Sequence, residues 1–246
     1  MDRSISSQRV RAFALAAMVA LLLAGGTLPA KAGPPVPTRL NVELGSAAGL
    51  APDGQSVGIS LLARCPERWT VLQALVTVSQ PQASGQASFP LTCTGLFQAF
   101  TVTMHSSDAP FQLGQAQATA SVRIQRGRTE QAQDSQLVRV EPTVLVDLAD
   151  TALLEGGGEA VLLDVTAACP VGATGQQSYV NVSQGQASGN GIYVPTCDGQ
   201  RHTFTVRVQT SQALFQPGSA QSLTFAFVAA GGNSFSGIDE QQIQIS

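Results

Sequence analysis

Hydrophobic side chains recur at every second position along much of this chain. Val57, Ile59, Leu61, Ala63 and Cys65 share one parity, and 104 residues later Val161, Leu163, Val165, Ala167 and Cys169 repeat it. Phe100, Val102 and Met104 alternate with Thr101 and Thr103, and Phe204, Val206 and Val208 alternate with Thr205, Arg207 and Gln209. A period of two is that of a strand with one face buried. Further strands are expected near 39–44, 74–80, 88–93, 116–124 and 136–140, divided by Gly, Pro, Asp and Ser turns. About seven strands per hundred residues predicts an all-β protein built from β-sandwiches of immunoglobulin-like size.

The offset of 104 residues extends well beyond those strands. It aligns Val78-Ser79-Gln80 with Val182-Ser183-Gln184, Gln82-Ala83-Ser84-Gly85 with Gln186-Ala187-Ser188-Gly189, Thr92-Cys93 with Thr196-Cys197, and Phe111-Gln112 with Phe215-Gln216, without a gap. A period of this length is a domain and not a solenoid unit. The expected organisation is a first repeat over 38–141 and a second over 142–246, in tandem, with a short junction at Glu141-Pro142-Thr143 that limits interdomain freedom.

Residues 1–32 read as a signal peptide. Arg3, Arg9 and Arg11 precede an uncharged apolar run from Ala12 to Gly26, and Ala30-Lys31-Ala32 forms a small-x-small cleavage site, leaving 33–37 as a linker. The run holds about 15 apolar or small residues, short of the roughly 20 that span a bilayer. No later run is long enough, so a secreted product with no membrane span in the mature chain is expected. Cleavage removes four of the thirteen basic residues and one of the sixteen acids, leaving nine against fifteen, a net charge of −6. With so few cations, nucleic acid and anionic membrane surfaces are poor partners, because each is held by a basic patch.

Each repeat carries two cysteines at equal spacing, Cys65 with Cys93 and Cys169 with Cys197. In an exported chain these read as two disulfides. Four cysteines allow three connectivities, and the duplication selects pairing within each repeat, since each domain needed its bridge before it was copied.

Candidate chemistry is sparse. His105-Ser106-Ser107-Asp108 holds the residue types of a hydrolase triad, but neighbours in a loop cannot by themselves take up triad geometry. His105 and His202 are not equivalent in the repeats, and no nucleophile elbow, zinc-protease, phosphate-loop or dinucleotide motif is present. Neither catalysis, a metal nor a cofactor is expected. The second repeat opens with Asp147, Asp150, Glu155, Glu159 and Asp164, which reads as a solvated acidic face, with a calcium site at the junction as the alternative. Arg123, Arg126 and Arg128 could pair with that face across the junction.

The repeats differ most along one strand. Thr119, Ser121 and Arg123 in the first become Leu223, Phe225 and Phe227 in the second. In a shared register these three form an apolar stripe on an outer face, where such patches mark an interface or a ligand groove. In the other register the phenylalanines are core. Trp69 lies in a loop, where it could anchor a partner or lid the sandwich edge. The expected function is therefore non-enzymatic: extracellular binding or interaction with the cell envelope, with a protein, glycan or small molecule as partner, and carriage of a small apolar molecule as the alternative.

The segment Cys197-Asp198-Gly199-Gln200-Arg201-His202, followed by Phe215-Gln216-Pro217-Gly218, resembles small secreted actinobacterial domains of uncharacterised function that share an early cysteine and a C-D-G-x-x-H turn. The resemblance implies secretion and a disulfide-bonded sandwich, and implies no activity. The first repeat departs from it, reading Cys93-Thr94-Gly95-Leu96-Phe97-Gln98, so Asp198 and His202 are not needed for the fold.

Overall fold

The computed structural model describes residues 39–246. The expected signal peptide (1–32) and linker (33–37) lie outside the described residues. The described chain is all-β. Strands β1 (Asn41–Leu50), β2 (Ser56–Arg64), β3 (Thr70–Ser79), β4 (Ser84–Ser88), β5 (Gln98–His105), β6 (Gly114–Arg126) and β7 (Arg128–Pro142) form one sheet in the order β4-β3-β6-β7-β1-β2-β5. Strands β8 (Leu145–Glu155), β9 (Ala160–Ala168), β10 (Thr174–Gly175), β11 (Ser178–Gln184), β12 (Ala187–Tyr193), β13 (His202–Thr210), β14 (Gly218–Ala230) and β15 (Asn233–Ile245) form the other, in the order β10-β14-β11-β12-β13-β9-β8-β15.

Both sheets curl back on themselves into barrel- or sandwich-like bodies. In the second, a long β14–β15 ladder joins the far strands and completes the ring. In the first, an antiparallel bridge between Gly85 and Ser106 brings the edges β4 and β5 together. Closure leaves few free edges to template aggregation. The duplicated glycine has a reason here. A Cβ on Gly85 would sit 2.8 Å from the carbonyl oxygen of His105, and one on Gly189 would sit 2.6 Å from that of Gln209.

Alternation decides which side chains fill each interior. Val57, Ile59, Leu61, Ala63 and Cys65 are buried in one core, and Val161, Leu163, Val165, Ala167 and Cys169 in the other. The disulfides Cys65–Cys93 and Cys169–Cys197 form within each half, both with a Cα separation of 4.7 Å and 28 residues apart in sequence.

Two local expectations are corrected. The strand expected near 88–93 lies earlier, at Ser84–Ser88. Phe89 donates one last bond to Ala74 O, and Pro90, which has no amide hydrogen, cannot extend the ladder. The ungapped offset also fails at one point. The β6–β7 hairpin turns on Gly127 between Arg126 and Arg128, whereas β14–β15 turns on Gly231-Gly232 between Ala230 and Asn233. Beyond that turn, equivalent residues are 105 apart. Asp134 Oδ2 accepts the Leu44 amide at 2.8 Å, and Asp239 Oδ2 accepts the Leu148 amide at 2.9 Å. Gln136 and Gln241 donate to Leu44 O and Leu148 O from the same strands.

Candidate binding face

The inner side of β14 explains its outer side. Ala220, Ser222, Thr224, Ala226 and Val228 point into the second core, and the two hydroxyls among them are satisfied there. Ser222 Oγ donates to Asn181 O, and Thr224 Oγ1 lies 3.2 Å from both Tyr179 O and the Tyr193 hydroxyl. Tyr193 donates to Phe225 O at 3.2 Å, and its burial pushes the phenol pKa up while the Thr224 contact pulls it the other way. Ser178 Oγ accepts the Phe227 amide at 2.8 Å. These bonds hold β14 in the register that leaves Leu223, Phe225 and Phe227 on the outer face, each half-buried and none in the core.

Cross-strand pairing then extends the stripe into a row. Phe225 stands opposite Tyr179 on β11 and Ile238 on β15, and Tyr179 stands opposite Ile192 on β12. The row Ile192, Tyr179, Phe225, Ile238 thus crosses four neighbouring strands. Its ends are open, with Ile192 61% and Ile238 62% exposed. The ring centroids of Tyr179 lie 5.0 Å from Phe225 and 5.7 Å from Phe227; Phe225 and Phe227 are 6.0 Å apart with planes within 5°. Beside it runs a second row, Asn190, Asn181, Leu223 and Glu240, in which Asn190 Nδ2 donates to Asn181 Oδ1 at 3.1 Å.

Tyr179, Ile192 and Ile238 were not singled out from the sequence. Tyr179 is out of phase with the buried Val180 and Val182, which was a usable signal, but its neighbours in the row come from non-local pairing. Trp69 does not join this face: it is half-buried and packs against the core of the first sheet.

The remaining candidates are dispersed. Among the described residues the ion pairs are Arg128–Glu130, His202–Asp198 and Arg207–Glu155, each within one half of the described chain. Arg128 therefore pairs inside its own hairpin, and the expected pairing of Arg123, Arg126 and Arg128 across the junction is not formed. Asp164 accepts a bond from Thr205 Oγ1, and among the described residues no three His, Cys, Asp or Glu side chains are grouped to hold a metal. His202 Nε2 lies 2.8 and 2.9 Å from the Asp198 carboxylate oxygens. The Gln200 amide first, and His202 second, lower the Asp198 pKa. In the other loop Ser106 Oγ donates to Ala109 O and Ser107 Oγ to Asp108, so neither hydroxyl is directed at His105.

An open cleft of 490 Å³, with Leu113, Arg139, Glu141, Gly172 and Phe235 among its walls, lies between the two sheets. The barrel interiors themselves are filled, with Phe215, Leu163 and Ile243 fully buried in the second.

No family model matches the chain, and no curated protein matches it. Among solved structures, a conserved domain protein from Bacillus anthracis is 11% identical over 83% of this chain and 87% of its own, with a TM-score of 0.28. The fibronectin(III)-like modules of Clostridium thermocellum CbhA are 14% identical over 83% of this chain and 93% of theirs, with a TM-score of 0.26.

Proposed function

We propose that the chain is a secreted, non-enzymatic tandem of two immunoglobulin-like β-sandwich domains, 38–141 and 142–246, which follows a signal peptide and binds an extracellular or cell-envelope partner through the outer face of its second domain. One observation carries the reading. The apolar row Ile192, Tyr179, Phe225, Ile238 occupies the same four strand positions that hold Ser88, Leu75, Ser121 and Gln133 in the first sheet. Two bodies with matching disulfides, closures and turn bonds differ there at three of the four positions, Leu75 alone being apolar in the first, so the fold does not require the apolar set. Exposed apolar patches that the fold does not need mark interaction sites. The two disulfides fit an oxidising extracellular setting. The likeness of the Cys197–His202 turn to secreted actinobacterial domains belongs to the same reading. Carriage of a small apolar molecule has less support, because this face is open and the barrel interiors are filled.

The test is to give the second domain the first domain's residues. The Phe225→Ser and Ile238→Gln variants should keep the parent's circular dichroism and a cooperative thermal transition, lowered by about 4–8 °C in Phe225→Ser through the lost ring contacts with Tyr179 and Phe227, yet lose retention on the envelope fraction of the secreting cells. Equal retention by parent and variants would refute the assignment of the face.

A further inference from the structure

The composition of this face narrows its partner. Three groups lie within two adjoining rows: aromatic rings, open aliphatic ends and a pair of side-chain amides that retain free donors and acceptors. Its apolar part is confined to six side chains, of which Ile192 and Ile238 are exposed and Tyr179, Leu223, Phe225 and Phe227 half-buried, against the roughly 20–30 residues a side of a specific protein interface. Its charge is low as well. Among the eight residues of the two rows, Glu240 alone is ionised, so nothing there recruits an anionic partner and little recruits a cationic one. Asn190 Nδ2 donates to Asn181 Oδ1, which fixes the pair. Among the hydrogen bonds of the described residues, the Asn181 amide hydrogens, the Asn190 side-chain oxygen and the Tyr179 hydroxyl have no protein partner. A ligand suited to this surface is narrow, long enough to cross several strands, uncharged, apolar on its flat faces and edged with hydroxyls.

We propose that the face binds a neutral polysaccharide chain, with the C–H face of one sugar ring over the cluster of Tyr179, Phe225 and Phe227 and hydroxyls of that unit and its neighbours bonded to Asn181 and Asn190. The inference rests on the assignment of the binding face above. The three ring centroids form a triangle with sides of 5.0, 5.7 and 6.0 Å, a compact apolar platform for a single sugar ring. Tyrosine supplies an apolar ring together with a polar tip, as a sugar requires.

The experiment uses the full secreted chain in native gels cast with hydroxyethylcellulose, mixed-linkage β-glucan, galactomannan or dextran. In parallel, the chain is sedimented with envelope fractions treated beforehand with periodate, which cleaves sugar diols, or with protease. At least one polysaccharide should retard the parent, and Phe225→Ser should weaken that binding about tenfold. Ile238→Gln is the second variant, and both substituents occur at the matching sites Ser121 and Gln133 of the first sheet, so each is a residue that this sheet position accommodates in the other half. Envelope binding should be lost after periodate and kept after protease. Binding that is lost after protease, kept after periodate and abolished by Phe225→Ser would overturn the glycan while leaving the face assigned. Retention identical in parent and variants would overturn both. Absence of retardation by all four polysaccharides, with periodate-insensitive sedimentation, would overturn the inference alone.

Discussion

The double substitution Cys169→Ala/Cys197→Ala tests whether each half is a separate cooperative unit. The bridge closes a loop with a sequence separation of 28 residues, and Cys65–Cys93 closes one of the same length. In the chain-entropy account a loop of that size restricts the unfolded chain by about 3.6 kcal/mol at 25 °C. Cys169 is fully buried, so losing its sulfur adds roughly 1 kcal/mol of packing. For a domain of about 100 residues, each kcal/mol moves the melting temperature by about 4–8 °C, so the affected transition should fall by roughly 15–35 °C. The two hydrophobic cores share no residue, so differential scanning calorimetry should show one transition moving while the other stays. Cys65→Ala/Cys93→Ala should do the converse, with a loss of similar size because the loop lengths match. A single transition shifting as a whole would refute independent unfolding. Losses differing between the bridges by more than about 2 kcal/mol would refute the loop-entropy account.

The parts of the fold legible in sequence were those that the duplication stated twice. The inward parities of β2 and β9, and of β5 and β13, follow from apolar residues at every second position in both copies. The disulfide pairing followed from equal spacing. The facing of β14 was not legible, because its inner positions include Ser222 and Thr224 while its outer ones include Phe225 and Phe227. On composition alone that strand reads inside out. The register shared with the first repeat offered the opposite reading, and the three-dimensional partners of the two hydroxyls, Asn181 O, Tyr179 O and Tyr193, decide for it. Ile238 was hidden for a different reason. The extra glycine in the last hairpin sets it opposite Asp134 in the ungapped alignment instead of Gln133; Asp134 pairs with the buried Ala120, so the one-residue slip assigned Ile238 to the inner side of its strand. Tyr179 meets Phe225 only through pairing of strands far apart in sequence, which periodicity does not encode.

Three smaller perturbations probe the physical account. Tyr193→Phe removes the phenolic hydroxyl from Phe225 O and Thr224 and should lower the stability of the second half by about 1 kcal/mol in urea unfolding; no change would mean that these bonds do not hold β14. The Asp198 carboxylate should titrate below the ordinary carboxylate range by NMR, and its contribution to stability, present above the unfolded-state pKa, should be lost as pH falls through the lower folded value. His202→Ala should raise the Asp198 midpoint only in part, since the bond from the Gln200 amide, the largest single cause, remains; a return to the ordinary value would show that this amide does not lower it. The last perturbation concerns Gln184, whose Nε2 donates to Gln216 O at 2.9 Å and Ser219 O at 3.3 Å while its Oε1 accepts the Gln216 amide at 2.8 Å. Gln80 does the same with Gln112 and Gln115 in the first half, so the duplicated glutamine pins the loop that enters the long hairpin. Gln184→Glu is nearly isosteric but places a carboxylate oxygen against two carbonyl oxygens, so at pH 7 it should destabilise more than Gln184→Ala, by about 1–3 kcal/mol relative to the parent. Protonation restores one donor, so the deficit should shrink as pH falls through the glutamate range near about 4.3. Gln184→Glu as stable as the parent at neutral pH would show that the amide donors do not hold the turn.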